Sequence, residues 1–506
     1  MLGEELLQYC STALHVMKQN FNAAVSAFIT VVGPIGTWSS SLVVLAVLFT
    51  VLGLRFLSVL RRLRSVGYFP GIRLVLAPEF PYPLPRIPYV CMDAEWWTKL
   101  RHQPFAEAGA DVLTVEVFRS RATFIKPVEM YKLLNLVGVH IVSAEGADYR
   151  RHRMPAQGSF TERSNRLVWD TSIDLARRLL KSFVWAGKDV VEIDEAVDIT
   201  LPYALKVINV AVFGRPDSDN TAHKISAGSI MPFEEAADMA MANLVTLVII
   251  PEWIRSVRAA DSETNPELRL TDMELVADVM AFLIGGHEST AHTIAIALGL
   301  LALHPEEQEM VYEELRTYSE PENHPVTREF DRYEDLNKLR RTLAVLHETL
   351  RLYPPVAHIS KESTIDTNLP LAFPAPNGMT SVPVPKGTIV TAHIIGLHYN
   401  PRWWKDPFLF RPTRFLDPHW PRDAFLPFSA GPRVCIGRRF AETESIALLA
   451  VLISKYRIEL SSHAKQKLEG VTDERERREL GIKIEQRLTL MPAELGLVFR
   501  KRTKVE

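Results

Sequence analysis

The sequence predicts a mainly α-helical protein with a minor β region, built as a single large domain behind an N-terminal transmembrane helix. Three observations support this fold class. The 506 residues, of which 47% are hydrophobic, have the composition of a large globular protein. One long apolar run lies near the N-terminus, where it suits a membrane span. Beyond it, most periodic segments repeat their apolar residues with the spacing of α-helices.

Residues 39–60 read SSSLVVLAVLFTVLGLRFLSVL and predict the transmembrane helix, because Arg55 is their only charged residue. A buried core helix is the alternative. An arginine cluster at 61–64 follows, whereas residues 1–38 contain one lysine and no arginine. The positive-inside rule therefore places the rest of the chain in the cytosol. Residues 1–38 are interpreted as a luminal or interfacial segment, although their apolar part leaves a second span open.

Residues 61–89 predict a basic, proline-rich connector, which proline makes extended and moderately stiff. From 90 to 506 no linker is long or polar enough to divide domains, so one catalytic domain is expected there. Helical patterns dominate it, at Leu167–Ser182, Asp272–Leu303, Pro305–Tyr318, Leu336–Leu352 and Glu442–Tyr456. Short strand patterns come late, at Thr388–His393 and Leu495–Arg500.

Charge and cysteine content exclude several function classes. The 58 Lys and Arg residues are balanced by 60 Asp and Glu residues, and the formal charge of −2 gives no indication of nucleic-acid binding. The three cysteines, Cys10, Cys91 and Cys435, are too few and too far apart for a disulfide framework or a cysteine-rich zinc site. Their number is consistent with a reducing compartment.

The segment FSAGPRVCIG, Phe428–Gly437, is the strongest functional signal. Cys435 lies just before an apolar helical pattern, where unpaired N–H groups and the helix dipole favour an anionic sulfur, so a thiolate ligand is predicted. Gly431 and Gly437 would allow the backbone to approach a flat cofactor. Arg433 would pair with a carboxylate on that cofactor. A small buried cysteine in a turn is the alternative.

The predicted helix Asp272–Leu303 opens with a capping box of Thr271 and Glu274. Its middle reads GGHEST, residues 285–290. Adjacent glycines are poor helix formers, and together with an acid and two hydroxyls they predict a local distortion that makes room for a ligand. The alternative is a kinked core helix with a solvated His–Glu pair.

A third segment, HETLRLYPP, places Glu348 and Arg351 three residues apart on one helix face. In isolation such a pair is a surface ion pair. The neighbouring turns are apolar, however, and the helix stops at two prolines. Further along, FRPTRF contains Arg414. A fourth segment, GADYRRHRMPAQGSF at 146–160, carries an unbroken basic run, which is more often a solvated face.

These segments, in this order, resemble the cytochrome P450 family. FSAGPRVCIG is similar to its F-x-x-G-x-R-x-C-x-G haem-binding loop, and GGHEST to its oxygen-activation motif. GADYRRHRMPAQGSF resembles its G-x-x-W-x-x-x-R-x(6)-F helix, with Tyr149 where tryptophan is usual. PKGT and HYNPRWWKDP keep the same register, so the resemblance covers residues 90 to 506. The predicted membrane anchor is typical of the microsomal members of the family, and the sequence as a whole looks like that of a fungal member.

The resemblance implies a haem b cofactor with the Cys435 thiolate as its axial iron ligand. It also implies roles for further residues: Phe428, Gly431, Arg433 and Gly437 around the haem, and Arg153 and Tyr149 at a haem propionate. Proton delivery would fall to Glu288 and Ser289, with Thr290 as a second hydroxyl. Serine replaces the usual threonine at 289, which puts the efficiency of coupling in doubt. Glu348, Arg351 and Arg414 would form a buried structural network.

The implied function is a monooxygenase of the endoplasmic reticulum membrane with a cytosolic catalytic domain. It would insert one atom of O2 into an apolar small molecule, by hydroxylation or epoxidation, in secondary metabolism. NADPH would supply electrons through a flavoprotein reductase. Substrate specificity would lie in loops such as the segments near 125–145, 228–252, 356–362 and 488–493. The sequence does not indicate the substrate itself.

Three alternatives stay open at this point. A family member that rearranges peroxides or dehydrates without O2 would have no use for Glu288 and Ser289. A non-catalytic haem-binding or gas-sensing protein would need neither residue. A membrane protein could use the Gly285 helix as a span, at the cost of burying Asp278 and Glu288 in lipid.

Overall fold

The computed structural model describes residues 138–213, 270–319, 332–374, 378–486 and 489–502, the strands Gly71–Leu74 and Thr114–Val117, and positions 50, 101 and 103. The chain forms two compact units. The first comprises Met1–Asp93, Ala108–Thr123 and Ile365–Lys386, and the second comprises Ala94–Glu107, Phe124–Thr364 and Gly387–Glu506.

The described helices lie in the second unit. In chain order they are α1 (Gly146–Ser159), α2 (Glu162–Lys181), α3 (Val197–Phe213), α4 (Asp272–Leu303), α5 (Pro305–Ser319), α6 (Arg340–Leu352), α7 (Ile394–His398), α8 (Arg438–Lys455), α9 (Ser462–Lys467) and α10 (Glu474–Gly481). Short 3₁₀ segments lie at Tyr333–Lys338, Pro412–Leu416, Arg422–Ala424 and Gly431–Arg433.

The described strands are short and form small separate sheets. They are β1 (Gly71–Leu74), β2 (Thr114–Val117), β3 (Val190–Ile193), β4 (His358–Glu362), β5 (Thr367–Pro370), β6 (Ser381–Val384), β7 (Ile389–His393), β8 (Tyr456–Leu460), β9 (Lys483–Gln486), β10 (Leu490–Ala493) and β11 (Leu497–Lys501). In the first unit β1 pairs with β2 in parallel, and β5 pairs with β6 antiparallel. In the second unit β11 lies between β3 and β8, β4 pairs with β7, and β9 pairs with β10, all antiparallel. The prediction of a mainly helical protein with a minor β region is confirmed.

Helix α4 is the central element of the second unit. Its 32 residues span about 48 Å at 1.5 Å per residue. The predicted capping box is present in full, because the Thr271 side chain accepts from the Glu274 N–H and the Glu274 side chain accepts from the Thr271 N–H. From Ala291 to Leu301 every residue is buried, and the helix packs against α3, α6, α8 and β8. Apolar residues all round this stretch therefore make it a core helix.

The other predicted elements have somewhat different ends. Helix α2 begins at Glu162, five residues before the predicted start, because Thr161 caps it by accepting from the Ser164 N–H. The pattern predicted as one helix from Leu336 is divided into the 3₁₀ segment and α6. Glu314 of α5 supplies acceptors for the backbone N–H groups of Arg341 and Thr342, at 2.7 and 3.0 Å, so a distant carboxylate caps α6.

The predicted N-terminal segments 1–38, 39–60 and 61–89 lie outside the described residues except for position 50 and strand β1. Within the part of the chain that the structure describes, no helix, α4 included, combines the length and apolarity of a membrane span.

Candidate functional site

The loop that carries Cys435, residues 426–437, is closed by its own backbone. The Cys435 N–H donates to the carbonyl of Phe428 at 2.9 Å, and the Val434 N–H donates to the carbonyl of Gly431 at 3.0 Å. Gly431 has φ 71°, a left-handed conformation that favours glycine. A Cβ built on Gly431 would meet no atom within 4 Å. The glycine therefore makes the turn and leaves open space beside the loop.

Cys435 lies immediately before helix α8, whose N-cap is Gly437. The residue is exposed to solvent, yet the surrounding protein desolvates the thiol and raises its pKa. The Gly437 N–H and the positive charges of Arg438 and Arg153 act in the opposite direction and favour the thiolate. A bound iron would add a much larger positive charge and would deprotonate the sulfur. The residue is thus exposed while its thiol is desolvated, and a nearby positive charge, such as that of a metal ion, would favour the thiolate.

Helix α1 covers this loop with the two residues that the sequence singled out. The Tyr149 hydroxyl donates to the carbonyl of Pro432 at 3.0 Å. One guanidinium nitrogen of Arg153 donates to the Tyr149 hydroxyl at 2.5 Å and lies 3.5 Å from the carbonyl of Val434. The two side chains are neighbours because they are four residues apart on one helix. The structure therefore brings Tyr149 and Arg153 to the cysteine loop.

Arg433 binds backbone groups of the segment 141–144. Its Nη1 donates to the Ile141 carbonyl at 3.1 Å, and its Nη2 donates to the Ala144 carbonyl at 2.6 Å. The guanidinium carbon lies 3.7 Å from the centre of the Tyr149 ring, a cation–π contact. A cofactor carboxylate at Arg433, as the sequence predicts, would share the guanidinium with these carbonyls.

The GGHEST segment lies in the middle of α4, and the helix runs through it without interruption. The predicted distortion therefore does not take the form of a break in the helix. Gly286 is explained by packing, because a Cβ there would lie 2.8 Å from Cδ1 of Ile208 in α3. Gly285 is exposed, and a Cβ built on it would meet no atom within 4 Å. Gly285 therefore faces open space in the middle of a core helix.

The polar residues of GGHEST lie in different surroundings. His287 is buried, and its Nε2 lies 3.0 Å from the Leu201 carbonyl, so a solvated His–Glu pair is wrong for His287. Glu288 and Ser289 are half-buried, and the Ser289 hydroxyl donates to the carbonyl of Gly285 at 2.6 Å. Thr290 is buried, with 3% of its surface exposed. Ser289 and Glu288 thus share the accessible side of α4 with Gly285, and Thr290 does not.

Phe160 joins the α4 motif to the cysteine loop. Its ring centre lies 5.7 Å from that of Phe282, one turn before Gly285, and 6.3 Å from that of Phe440 in α8. A Cβ built on Gly437 would lie 3.8 Å from Cε1 of Phe160. The sequence assigned no role to Phe160, although it is the phenylalanine of the resembled helix motif.

Glu348 and Arg351 form a bidentate ion pair in which both residues are 0% exposed, with N–O distances of 2.7 and 2.8 Å. Arg351 also donates to the carbonyls of His398 and Pro407, each at 2.8 Å. Arg414 lies 3.1 Å from the same carboxylate. The three residues predicted as a buried network are therefore in direct contact, and backbone carbonyls satisfy the remaining guanidinium N–H groups.

His398 links this network to the cysteine loop, and the sequence assigned it no role. Its Nε2 accepts from the Leu426 N–H at 3.0 Å, so Nδ1 must carry the proton that it donates to the Arg351 carbonyl, also at 3.0 Å. The ring stacks on Phe425, with ring centres 5.6 Å apart. Burial lowers the pKa of His398 to about 3, and the charge of Arg351 adds to the effect. The imidazole is therefore neutral.

These surroundings fit a haem held by one thiolate. One accessible cysteine lies on a closed loop, two arginines lie beside it, and glycines leave open space at Gly431 and Gly285. Among the described residues no cluster of three or more His, Cys, Asp or Glu side chains is arranged to hold a metal ion. A porphyrin supplies four iron ligands of its own, so a single protein ligand is sufficient.

The mainly helical fold and the loop that presents Cys435 are those expected of a haem-thiolate protein. Comparison with known proteins gives the same class. Residues 250–477 match the family model "Cytochrome P450". "Cytochrome P450 monooxygenase 124" of Postia placenta is 35% identical over 501 residues, which covers 87% of this chain and 95% of the relative. The chain therefore belongs to the cytochrome P450 family.

Another relative and a solved structure match at lower sequence identity. "Cytochrome P450 monooxygenase ORF6" of Penicillium roqueforti is 24% identical, with 77% of this chain and 79% of the relative covered. The crystal structure of a cytochrome P450 (CYP102L1) matches with a TM-score of 0.56 at 20% identity, over 75% of this chain and 84% of that one, and shows the shared fold. As a cytochrome P450 monooxygenase family member, the protein is an oxidoreductase that incorporates oxygen.

Proposed function

We propose that this protein is a membrane-anchored monooxygenase that inserts one atom of O2 into an apolar small molecule, by hydroxylation or epoxidation. The observation that carries the proposal is the loop 426–437. It holds a solvent-accessible cysteine at the start of a buried helix, beside two arginines and an open space. We further propose a role in secondary metabolism and a fungal origin, and the origin is supported by the fungal monooxygenases among the relatives.

Cys435 would hold a haem b iron through its sulfur, and the haem when bound would supply the activation of O2. Arg153, which contacts the loop, and Arg433, which belongs to it, would each bind a propionate. Tyr149 stacks on Arg433 and accepts from Arg153, so it keeps both guanidinium groups beside the loop. The carbonyls that Arg433 now contacts fix its direction in advance.

Proton supply would use the accessible side of α4. Ser289 Oγ donates to the Gly285 carbonyl, so it still has lone pairs that accept a proton from Glu288 or from water. Rotation about χ1 would then direct its own proton into the space beside Gly285. Thr290 is buried on another side of the helix, so we assign it a lesser part in this relay than Ser289.

Electrons would come from NADPH through a flavoprotein reductase, and residues 39–60 would anchor the chain in the endoplasmic reticulum membrane with the catalytic domain in the cytosol. Deletion of residues 1–66 should move much of the protein to the soluble fraction. Protease protection of the C-terminus in sealed microsomes would contradict this orientation.

The central test is haem ligation. Reduced wild-type protein under CO should show the red-shifted Soret band expected of thiolate-bound haem, and Cys435→Ser should abolish it. Cys91→Ser is the matched control and should leave the band unchanged. A band that survives Cys435→Ser would refute the assignment. NADPH consumption with purified reductase, together with an oxygenated product, separates a monooxygenase from a haem protein that only binds gas.

A further inference from the structure

Asp278 is a buried acid of α4 whose two oxygens bind two different segments of the chain. The residue is 4% exposed and lies one turn after Glu274 of the capping box. Its Oδ1 accepts from the Ile141 N–H at 2.6 Å. Its Oδ2 lies 2.9 Å from Nδ1 of His152 in α1, which is 0% exposed. A buried carboxylate with both oxygens bound holds its partners firmly.

The segment 141–144, here called the bridging segment, is held from both sides. Asp278 binds its first N–H group, while Arg433 of the cysteine loop binds the carbonyls of Ile141 and Ala144. One short segment thus connects helix α4 to the residue two positions before Cys435. The hydrogen bond between Ile141 and Asp278 joins residues that are 137 positions apart in the sequence, and the one between Arg433 and Ile141 joins residues that are 292 positions apart.

Helix α1 makes a second connection between the same two elements. Arg151 binds the Glu274 carboxylate through both terminal nitrogens, one of them at 2.8 Å, and His152 binds Asp278. The same turns of α1 supply Tyr149 and Arg153, which contact Pro432 and Val434 of the cysteine loop. The N-terminal turns of α4 therefore bind both the bridging segment and helix α1, the two parts of the chain that contact the cysteine loop.

We propose that Asp278 is a positioning residue for the cysteine ligand. By fixing the bridging segment and His152, it fixes Arg433 and α1, and through them the place of Cys435 relative to α4. The inference rests on the proposed haem site only in that Cys435 is the ligand. The hydrogen bonds of Asp278 go to Ile141 and His152, so its effect on Cys435 is transmitted through these two residues and Arg433.

The test compares Asp278→Ala with Asp278→Asn in the full chain. Asparagine keeps an oxygen for the Ile141 N–H, and its amide N–H can donate to the other tautomer of His152, whereas alanine loses both contacts. Glu195→Ala is the control, because Glu195 is likewise a carboxylate whose two oxygens both bind other segments: it is half-buried and accepts the backbone N–H groups of Glu494 and Leu495 at 3.1 and 3.2 Å.

Three measurements are made on samples whose far-UV circular dichroism matches that of the wild type. They are the share of thiolate-type Soret absorbance in the reduced CO form, the rate of haem release to apomyoglobin, and hydrogen exchange in residues 140–145. Asp278→Ala should release haem at least about tenfold faster, since charged hydrogen bonds are lost. It should also convert part of the Soret band to the form without thiolate and speed exchange in the bridging segment. In all three measurements Asp278→Asn should give values close to those of the wild type, and Glu195→Ala should give wild-type values.

The inference is overturned if Asp278→Ala keeps the wild-type band, release rate and exchange. It is also overturned if Glu195→Ala shows the same losses. If Asp278→Ala does not fold, the double variant Asp278→Asn with His152→Gln is tested instead. Faster haem release with native circular dichroism supports the positioning role, and an unchanged release rate rejects it. A wild type without a thiolate band would refute the proposed function instead, while hydrogen exchange at 140–145 would still test the connection.

Discussion

Replacement of His398 by glutamine should remove a large part of the pH dependence of stability between pH 5 and pH 7. His398 is buried between α6 and the cysteine loop, where its Nε2 must stay unprotonated to accept from the Leu426 N–H. Protonation would place a second N–H against that donor and a charge beside Arg351. Glutamine can retain an acceptor for Leu426 and cannot titrate, so it isolates the effect of the proton.

The magnitude follows from the two pKa values of His398. Burial lowers the pKa from 6.5 to about 3 in the folded protein. The unfolded chain therefore binds a proton that the native state does not. The contribution of His398 to the free energy of unfolding is full above pH 6.5 and decreases as the pH falls toward 3. The full loss is about 5 kcal/mol at the acid limit, and about 2 kcal/mol of it falls between pH 7 and pH 5. This second figure changes little if the folded pKa is anywhere below about 4.

The assay is urea unfolding of wild type, His398→Gln and the control His419→Gln at pH 7 and pH 5, followed by far-UV circular dichroism. His419 is exposed, so its replacement should leave the pH dependence as in the wild type. Hydrogen exchange at the Leu426 amide gives a local measure of the same opening. The reasoning is refuted if wild type and His398→Gln lose the same free energy of unfolding between the two pH values.

Three further predictions concern other buried or catalytic groups. Arg351→Ala should lower the free energy of unfolding by about 3 to 5 kcal/mol, because it leaves the Glu348 carboxylate buried with only part of its counter-charge, and a urea midpoint close to that of the wild type would contradict this. Burial raises the pKa of Glu444 well above its usual value, so the native state holds a proton that the unfolded chain releases above about pH 4.5, and stability falls as the pH rises. Glu444→Gln should therefore gain more stability over wild type at pH 8 than at pH 5, and an equal gain at both would refute it. Ser289→Ala should keep the thiolate Soret band but lower the product formed per NADPH, with hydrogen peroxide rising to match, whereas Ser289→Thr should stay coupled.

Local signals in the sequence predicted the parts of the fold whose causes are local. Helix α4 was predicted with the bounds that the structure has, because periodicity and a capping box act within a few residues. The start of α6 was predicted less well, since its cap comes from Glu314, 28 residues before Thr342. Strands β7 and β11 were located within two residues, and the family was recognisable from motifs with fixed spacing around Cys435.

The tertiary structure decided how these motifs work together. The sequence paired Arg433 with a cofactor carboxylate, yet the fold also gives it the carbonyls of the bridging segment and the Tyr149 ring. It read both glycines of GGHEST as space for a ligand, but Gly286 is small because Ile208 packs against it. No sequence pattern indicated the roles of Asp278 and His398, because each residue depends on partners that are distant in the sequence and close only in the folded chain. A side chain's type and spacing define what it can do chemically, whereas its burial and its partners come from packing between distant segments, which no local pattern records.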